Sequence, residues 1–166
     1  MGKSDEHIGL ADLKKSYEVF AKKYTLPAFE ELNHLFEIEE ISGETDLLLK
    51  RIRHVIIEKI SNYFRFVDLL INPSSSSLFF YKKVKKLTNP DREFLSEVYE
   101  LLGDLEIESV LRDLDYVEQK EALFIKKIYT LYNKTIKKRL MQIVESVISF
   151  AEKETFMKNS SGSYFG

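Results

Sequence analysis

The sequence predicts an all-α protein, a single-domain antiparallel bundle of about five to six helices. Only six Gly and three Pro interrupt its 166 residues, so few positions break a helix. The content of 44% apolar residues, including twelve Phe and nine Tyr, is too rich for a disordered chain. We expect residues 1–156 to form the bundle, and the Gly/Ser-rich residues 157–166 to form a disordered tail.

Three helices are predicted in the first half, because apolar residues recur there at steps of three and four. The first helix should end near Pro27, which can in turn open a short second helix. Ser42-Gly43 should break the second helix, and Asn72-Pro73 should end the third. The expected apolar faces are Leu10, Leu13, Tyr17, Phe20 and Tyr24, then Phe29, Leu32, Leu35 and Phe36, and then Leu49, Ile52, Ile56, Ile60, Tyr63, Val67 and Leu70.

The residue pattern of the second half predicts four more helical segments. A short aromatic and basic helix covers 78–87, and Thr88-Asn89-Pro90-Asp91 is a helix start signal with a capping side chain, a first-turn proline and an early acid. The helix that begins there should end at Gly103. A short acidic helix is expected over 105–116, and a last helix from about Val117 to Glu154.

Charge is distributed in blocks of alternating sign, although the whole chain carries only −2. Residues 28–46 and 91–121 are acidic, with net charges of −7 and −8. Residues 47–90 and 122–166 are basic, with +7 and +5. Such a chain can pair its acidic helices with its basic ones, or it can present a basic face to an anionic partner, and the sequence leaves both open.

The sequence lacks the residues and motifs that most catalytic and metal-binding sites require. Without cysteine there is no disulfide, thiolate nucleophile or Cys-based metal site. Glu31 and His34 form one Glu-x-x-His step, but a di-iron site needs a second one. Carboxylate pairs such as Asp113 and Asp115 are read as solvated helix faces, and no nucleophile elbow, phosphate loop or dinucleotide motif occurs. We therefore expect no cofactor and no metal.

Lysines next to aromatic residues are candidates for nucleic-acid contact. Cations neutralise phosphates and rings stack on bases, and Phe79, Phe80 and Tyr81 lie directly before a lysine cluster. A further basic cluster is formed by Lys50, Arg51, Arg53 and His54. The candidate contact residues are Lys82, Lys83, Lys85, Lys86, Lys126, Lys134, Lys137 and Lys138. The net charge of −2 favours the alternative that the cations pair with the acidic helices.

Several segments resemble a group of small all-helical archaeal proteins of unassigned function. They are Leu26-Pro27-Ala28-Phe29-Glu30-Glu31-Leu32 with Phe36-Glu37-Ile38, the Arg-rich long helix, and the loop from Asn72-Pro73 to Ser77-Leu78. The resemblance spans roughly residues 26–150 and rests on pattern rather than on a diagnostic motif. It implies a cytoplasmic archaeal protein and assigns a role to no residue.

The expected function is that of a non-catalytic interaction module, which binds a protein partner or a second copy of itself through a charged helical surface. Uncovered aromatic residues on the helices could form such a patch. RNA or DNA binding through the lysines is the alternative, and an enzyme with an unfamiliar site ranks third. No apolar run reaches the length of about 18 residues that crosses a bilayer, so we expect a cytoplasmic protein without membrane contact.

Overall fold

The structure, a computed structural model, describes residues 9–41, 46–75 and 78–160, and over these ranges it is an all-α helical bundle, as predicted. Short 3-10 turns at Ile38–Glu40 and Pro73–Ser75 follow α2 and α3, and a π-helical turn at Tyr132–Ile136 joins α6 to α7. The α-helices are α1 (Leu10–Tyr24), α2 (Phe29–Phe36), α3 (Leu48–Ile71), α4 (Leu78–Val84), α5 (Asn89–Leu114), α6 (Glu118–Leu131) and α7 (Lys137–Ser160).

Two predicted helix boundaries are confirmed by their capping geometry. α1 ends at Thr25, which adopts a left-handed conformation with φ of 55°, and the Leu26 N–H then donates to the Ala21 carbonyl at 3.1 Å. At the start of α5, the Thr88 hydroxyl donates to the Asp91 carboxylate at 2.6 Å, and the Asp91 N–H donates back to Thr88 Oγ1 at 3.3 Å. The Thr88 N–H also donates to Asp91 Oδ2 at 3.2 Å, so side chains satisfy two backbone N–H groups at this helix start.

The predicted break at Gly103 is wrong, because α5 continues without interruption to Leu114. A glycine inside a helix costs only about 1 kcal/mol relative to alanine. Leu102 and Leu105, on either side of Gly103, are almost completely buried. Burying two leucines stabilises the helix by more than the glycine destabilises it, so packing overrides the local signal.

The last predicted helix, from about Val117 to Glu154, begins where expected but is not regular. Val117 is the N-cap of α6, and the π-helical turn, which no sequence pattern predicts, separates α6 from α7. α7 extends to Ser160, past the predicted end of the bundle at residue 156. The remainder of the predicted tail, residues 161–166, lies outside the described residues, and the predicted domain division stays a prediction.

The chain divides into two compact units. Unit 1 combines the residues up to Tyr63 with Leu102–Tyr132, and unit 2 combines Phe64–Leu101 with the residues from Asn133 onward. α3 and α5 therefore each contribute one part to each unit. Within the described residues, no helix has the length and apolar character that crossing a membrane requires.

Unit 1 has a core of aliphatic and aromatic side chains from all its helices. Tyr17 of α1 donates its hydroxyl to the Pro27 carbonyl at 2.7 Å and meets Phe29 edge-on, with ring centroids 5.7 Å apart. Burial raises the pKa of Tyr17, so it remains a neutral donor. Tyr132 stacks on Tyr63 with centroids 5.5 Å apart. The predicted apolar face of α3 is confirmed in this unit, since Leu49, Ile52, Ile56 and Ile60 are fully buried.

Unit 2 is held together where α4, α5 and α7 meet. Arg92 donates to the Val84 carbonyl at the end of α4 at 2.8 Å, and Arg139 of α7 pairs with Asp91 at 2.6 Å. α4 also packs against α7. Its apolar core includes Val67, Leu70, Val84, Leu87, Leu95, Val98, Ile136, Leu140, Ile143 and Val147.

Candidate protein-docking surface

The part of α5 that belongs to unit 1 has two apolar faces. One face is in the core, where Leu102 and Leu105 are buried. On the opposite side of the same turns, four aliphatic residues follow one another at steps of three, one and three. Positions i, i+3, i+4 and i+7 share one face of an α-helix. We call the four residues Ile107, Val110, Leu111 and Leu114 the α5 stripe.

The α5 stripe is exposed to solvent along its whole length. The exposed fractions are 71% for Ile107, 59% for Val110, 54% for Leu111 and 81% for Leu114. Single exposed aliphatic residues are common on proteins, but a contiguous row on one helix face is not. An apolar row on one face of a helix normally packs against a core or a partner. The outward face of α5 therefore has the character of an interface.

The orientation of α5 is set by a buried arginine on α3. Arg53 is completely buried, and it donates from Nη1 to the Ser109 side chain at 2.6 Å and from Nη2 to Asp113 at 2.7 Å. Ser109 and Asp113 are one turn apart on α5. Two bonds from one planar guanidinium fix the rotation of the helix about its axis. This rotation turns the α5 stripe outward.

The third side of Arg53 is occupied by Glu121 of α6. Arg53 Nε donates to Glu121 Oε2 at 2.8 Å, and both side chains are fully buried. The other carboxylate oxygen, Glu121 Oε1, is buried without a hydrogen-bond partner. A buried pair is costly to desolvate, and its energy depends on keeping both partners. Arg53 thus connects α3 to α5 and α6. Replacing either charge of the pair alone would leave the other buried without a counter-charge, which lowers the free energy of unfolding.

Asp113 extends this network to the surface. Its side chain is 44% exposed, and the same Oδ1 atom lies 3.0 Å from His54 Nε2 and 3.5 Å from Lys50 Nζ. The hydrogen bond from Arg53, followed by that from His54, holds the pKa of Asp113 well below its usual range. Asp113 is therefore an anion that is already matched by neighbouring cations, rather than an acid or base for catalysis.

A second ion-pair cluster borders the α5 stripe on the side of α6. Glu108 accepts from Lys127 at 2.6 Å and from Arg112 at 3.0 Å. Partial burial raises the pKa of Glu108, but these hydrogen bonds outweigh it, so its net pKa lies below the ordinary value. Leu123, one turn before Lys127 on α6, is 59% exposed. It adds a fifth exposed aliphatic side chain beside this cluster.

The predicted lysines are distributed over both units. Lys126 is exposed on α6 of unit 1, and the other seven belong to unit 2. Lys83 is buried, so it does not present its ammonium group to solvent. Lys85 lies 4.5 Å from the centroid of the Tyr81 ring, which is 40% exposed. The remaining candidates, Lys82, Lys86, Lys134, Lys137 and Lys138, are exposed or half-buried on or beside α4 and α7.

The expected basic cluster at the start of α3 is not displayed as one surface. Arg53 is in the core, and Lys50 and His54 face Asp113. The reason is helical geometry: Lys50, Arg53 and His54 are spaced at i, i+3 and i+4, so they share one face of α3, and that face is turned toward Asp113 of α5. Several cations instead pair with the acidic segments, as one of the two alternatives predicted: Lys59 with Glu37, Arg53 with Glu121, and Arg139 with Asp91.

The other residues considered for metal binding or catalysis do not come together in one site. His34 is exposed, and Glu31 accepts a hydrogen bond from the Tyr129 hydroxyl at 3.1 Å. Among the described residues, no three His, Asp or Glu side chains come close enough to hold a metal ion. A groove of about 160 Å³ in unit 1 is lined by Phe36, Glu37, Glu40, Val55, Glu58, Lys59 and Asn62. The lysine of this groove, Lys59, already pairs with Glu37, so the groove does not offer a group of catalytic side chains that point at one place.

The α5 stripe was missed by sequence reasoning, although its signal is present. The steps Ile107, Val110, Leu111 and Leu114 are a complete amphipathic pattern. The sequence places them in a short acidic helix, separate from Leu102, because Gly103 predicts a break. Only a continuous α5 has two opposite apolar faces. The exposed apolar surface also differs from the expected aromatic patch. Among the described residues, most of the large apolar side chains that are exposed are aliphatic.

No family model, no curated protein and no solved structure matches this chain. Its function is therefore inferred from its own residues.

Proposed function

We propose that this protein is a non-catalytic interaction module that binds an amphipathic helix of a partner protein along the outward face of α5. The observation that carries the proposal is the exposure of Ile107, Val110, Leu111 and Leu114, each at least half exposed, on one helix face. A second helix laid along such a row contacts it with its own i, i+3, i+4 and i+7 residues. The stripe extends over eight residues, 107–114, which is about 10 Å of helix.

The free energy available from this face is sufficient for a reversible complex. Complete burial of one aliphatic side chain stabilises by roughly 1.5–3 kcal/mol, and the four residues of the α5 stripe are already about half to four-fifths exposed. Association itself costs several kcal/mol in lost motion. The exposed fractions leave about 4–8 kcal/mol of burial free energy on this face, and the apolar row of the partner contributes a similar amount. The total exceeds the lower estimates of the association cost, which gives a weak, reversible complex.

The test is a titration with a helical probe peptide. The probe has about 18 residues, is held helical by side-chain lactam bridges, and carries Leu at i, i+3, i+4 and i+7 between Gln flanks. We expect it to shift the methyl NMR signals of Ile107, Val110, Leu111 and Leu114. The substitution Leu111→Ser should weaken binding by about tenfold or more, since a leucine contact is lost.

The matched control is Val19→Ser on α1, because Val19 is an aliphatic residue that is 62% exposed and lies outside the stripe. It should leave the affinity unchanged. If the probe does not bind, or if Val19→Ser weakens binding as much as Leu111→Ser does, the proposal is wrong. Circular dichroism spectra of both variants check that the helices are retained.

A second candidate function, binding of single-stranded nucleic acid, is favoured by one observation in unit 2. Lys137 and Lys138, together with Asn133, Met141, Gln142 and Glu145, line a groove of about 270 Å³ on α7. The basic helix α4 packs against α7 as well. Titration of a fluorescent RNA at two salt concentrations tests this function. Binding that is steeply salt-dependent and is lost in a Lys82→Ala, Lys85→Ala, Lys86→Ala variant would support it.

A further inference from the structure

Acidic residues lie on both sides of the α5 stripe. On a helical wheel, Asp104, Glu108 and Asp115 lie on the side of Leu111, and Glu106 and Asp113 lie on the side of Val110. Three of these five carboxylates are neutralised within unit 1. Glu108 pairs with Lys127 and Arg112, Asp113 with Arg53, and Asp115 with Lys120 at 3.2 Å.

The two acids at the first turn of the stripe are different. Throughout the described ranges, neither Asp104 nor Glu106 forms an ion pair or a side-chain hydrogen bond. They lie on opposite sides of Ile107, the residue that is 71% exposed. An apolar contact surface at this end of α5 is thus bordered on both sides by unmatched negative charge.

We infer that the partner helix carries basic residues on both sides of its apolar row, at the end that contacts Ile107. This inference rests on the proposed function and specifies the chemistry of the partner. Lys or Arg at these positions would pair with Asp104 and Glu106, whereas acidic flanks would be repelled. Charge complementarity of this kind sets the choice of partner more than it sets the total affinity.

The same charges argue against a parallel pairing with the α5 stripe of a second copy. If two stripes paired in parallel, Asp104 and Glu106 would face their own equivalents, and unmatched like charges across an interface disfavour association. In antiparallel orientation these acids would approach Asp113 and Asp115 of the other copy, which Arg53 and Lys120 already neutralise, so light scattering is the test of that arrangement.

The experiment compares three lactam-bridged peptides that share one leucine row and differ only in their flanks, which are Lys, Gln or Glu. We expect the Lys-flanked peptide to bind roughly 20-fold more tightly than the Glu-flanked one, and its advantage to decrease with added salt. Equal affinity of all three would overturn the inference and leave the proposed function intact. Failure of all three would refute the proposed function itself.

A charge reversal on the protein provides the reciprocal test. Asp104→Lys with Glu106→Lys should invert the preference, so that the Glu-flanked peptide binds best. Glu18→Lys with Glu58→Lys is the matched control, because it makes the same change in net charge at two exposed acids elsewhere in unit 1. An inverted preference in the control would overturn the inference, as would light scattering that shows a dimer abolished by Leu111→Ser.

Discussion

At the scale of single residues, Arg53 is the group on which unit 1 depends most. Its guanidinium is fully buried and bonded to Ser109, Asp113 and Glu121, so it joins α3 to α5 and α6. A charge in the core is expensive to desolvate, and only a complete set of partners offsets that cost. The consequence is a strong dependence of each partner on the others.

The first prediction concerns this dependence. Arg53→Met should lower the free energy of unfolding by about 3–5 kcal/mol, because it leaves the Glu121 carboxylate buried without a counter-charge. The double variant Arg53→Met with Glu121→Met removes both charges and should regain at least about 2 kcal/mol of that loss. Urea unfolding followed by circular dichroism measures both values. If the double variant is less stable than Arg53→Met, the pair is not a coupled unit.

Asp113 provides a prediction about pH. Its pKa in the folded protein is lowered, chiefly by the hydrogen bond from Arg53, so the group favours folding wherever it is ionised. That contribution is fully present above the unfolded value of about 3.9, and it is lost as the pH falls through that value towards the folded pKa. Asp113→Asn should therefore lower the thermal midpoint at pH 6, with a difference that shrinks below pH 4.

The control for this titration is the same comparison in a His54→Gln background, because His54 also contacts the Oδ1 atom of Asp113. The shrinking difference below pH 4 should persist there. If the thermal midpoints of the unsubstituted protein and of Asp113→Asn differ by a constant amount down to pH 3, the low pKa is contradicted.

At the scale of elements, α5 departs furthest from the sequence prediction. Glycine lacks a side chain to restrict the unfolded chain, so Gly103→Ala should stabilise the protein by about 0.5–1 kcal/mol. The measurement is urea unfolding, and Gly9→Ala at the N-cap of α1, outside the helix interior, is the comparison. Destabilisation by Gly103→Ala would show that position 103 requires glycine for close packing.

How well the sequence predicts an element depends on whether its signal is local. The end of α1 just before Pro27 and the start of α5 within Thr88-Asn89-Pro90-Asp91 were predicted correctly, because each depends on a few neighbouring residues. The continuation of α5 through Gly103 was not predicted, because it depends on the burial of Leu102 and Leu105, and no local pattern marks the π-helical turn at Tyr132–Ile136. The burial of Arg53 could not be predicted from the sequence either, because its partners Ser109 and Glu121 lie 56 and 68 residues away along the chain.

At the scale of the whole molecule, ion pairs within the units neutralise part of the charge in the alternating blocks. Lys59 pairs with Glu37 and Arg53 with Glu121 in unit 1, and Arg139 pairs with Asp91 in unit 2. Each pair joins a basic block to an acidic one. In the part of the chain that the structure describes, Asp104 and Glu106 lie unmatched beside the apolar α5 stripe, so their charges are available for recognition.

The buried pair of Arg53 and Glu121 also has a consequence for how this sequence can evolve. Losing either charge alone passes through a poorly stable intermediate, whereas losing both yields an ordinary apolar core. Natural variants of this chain should therefore keep the two charges or lack both of them, and a single replacement should be tolerated only after other stabilising changes have accumulated. Positions 53 and 121 are thus expected to change together between descendants of a common ancestor.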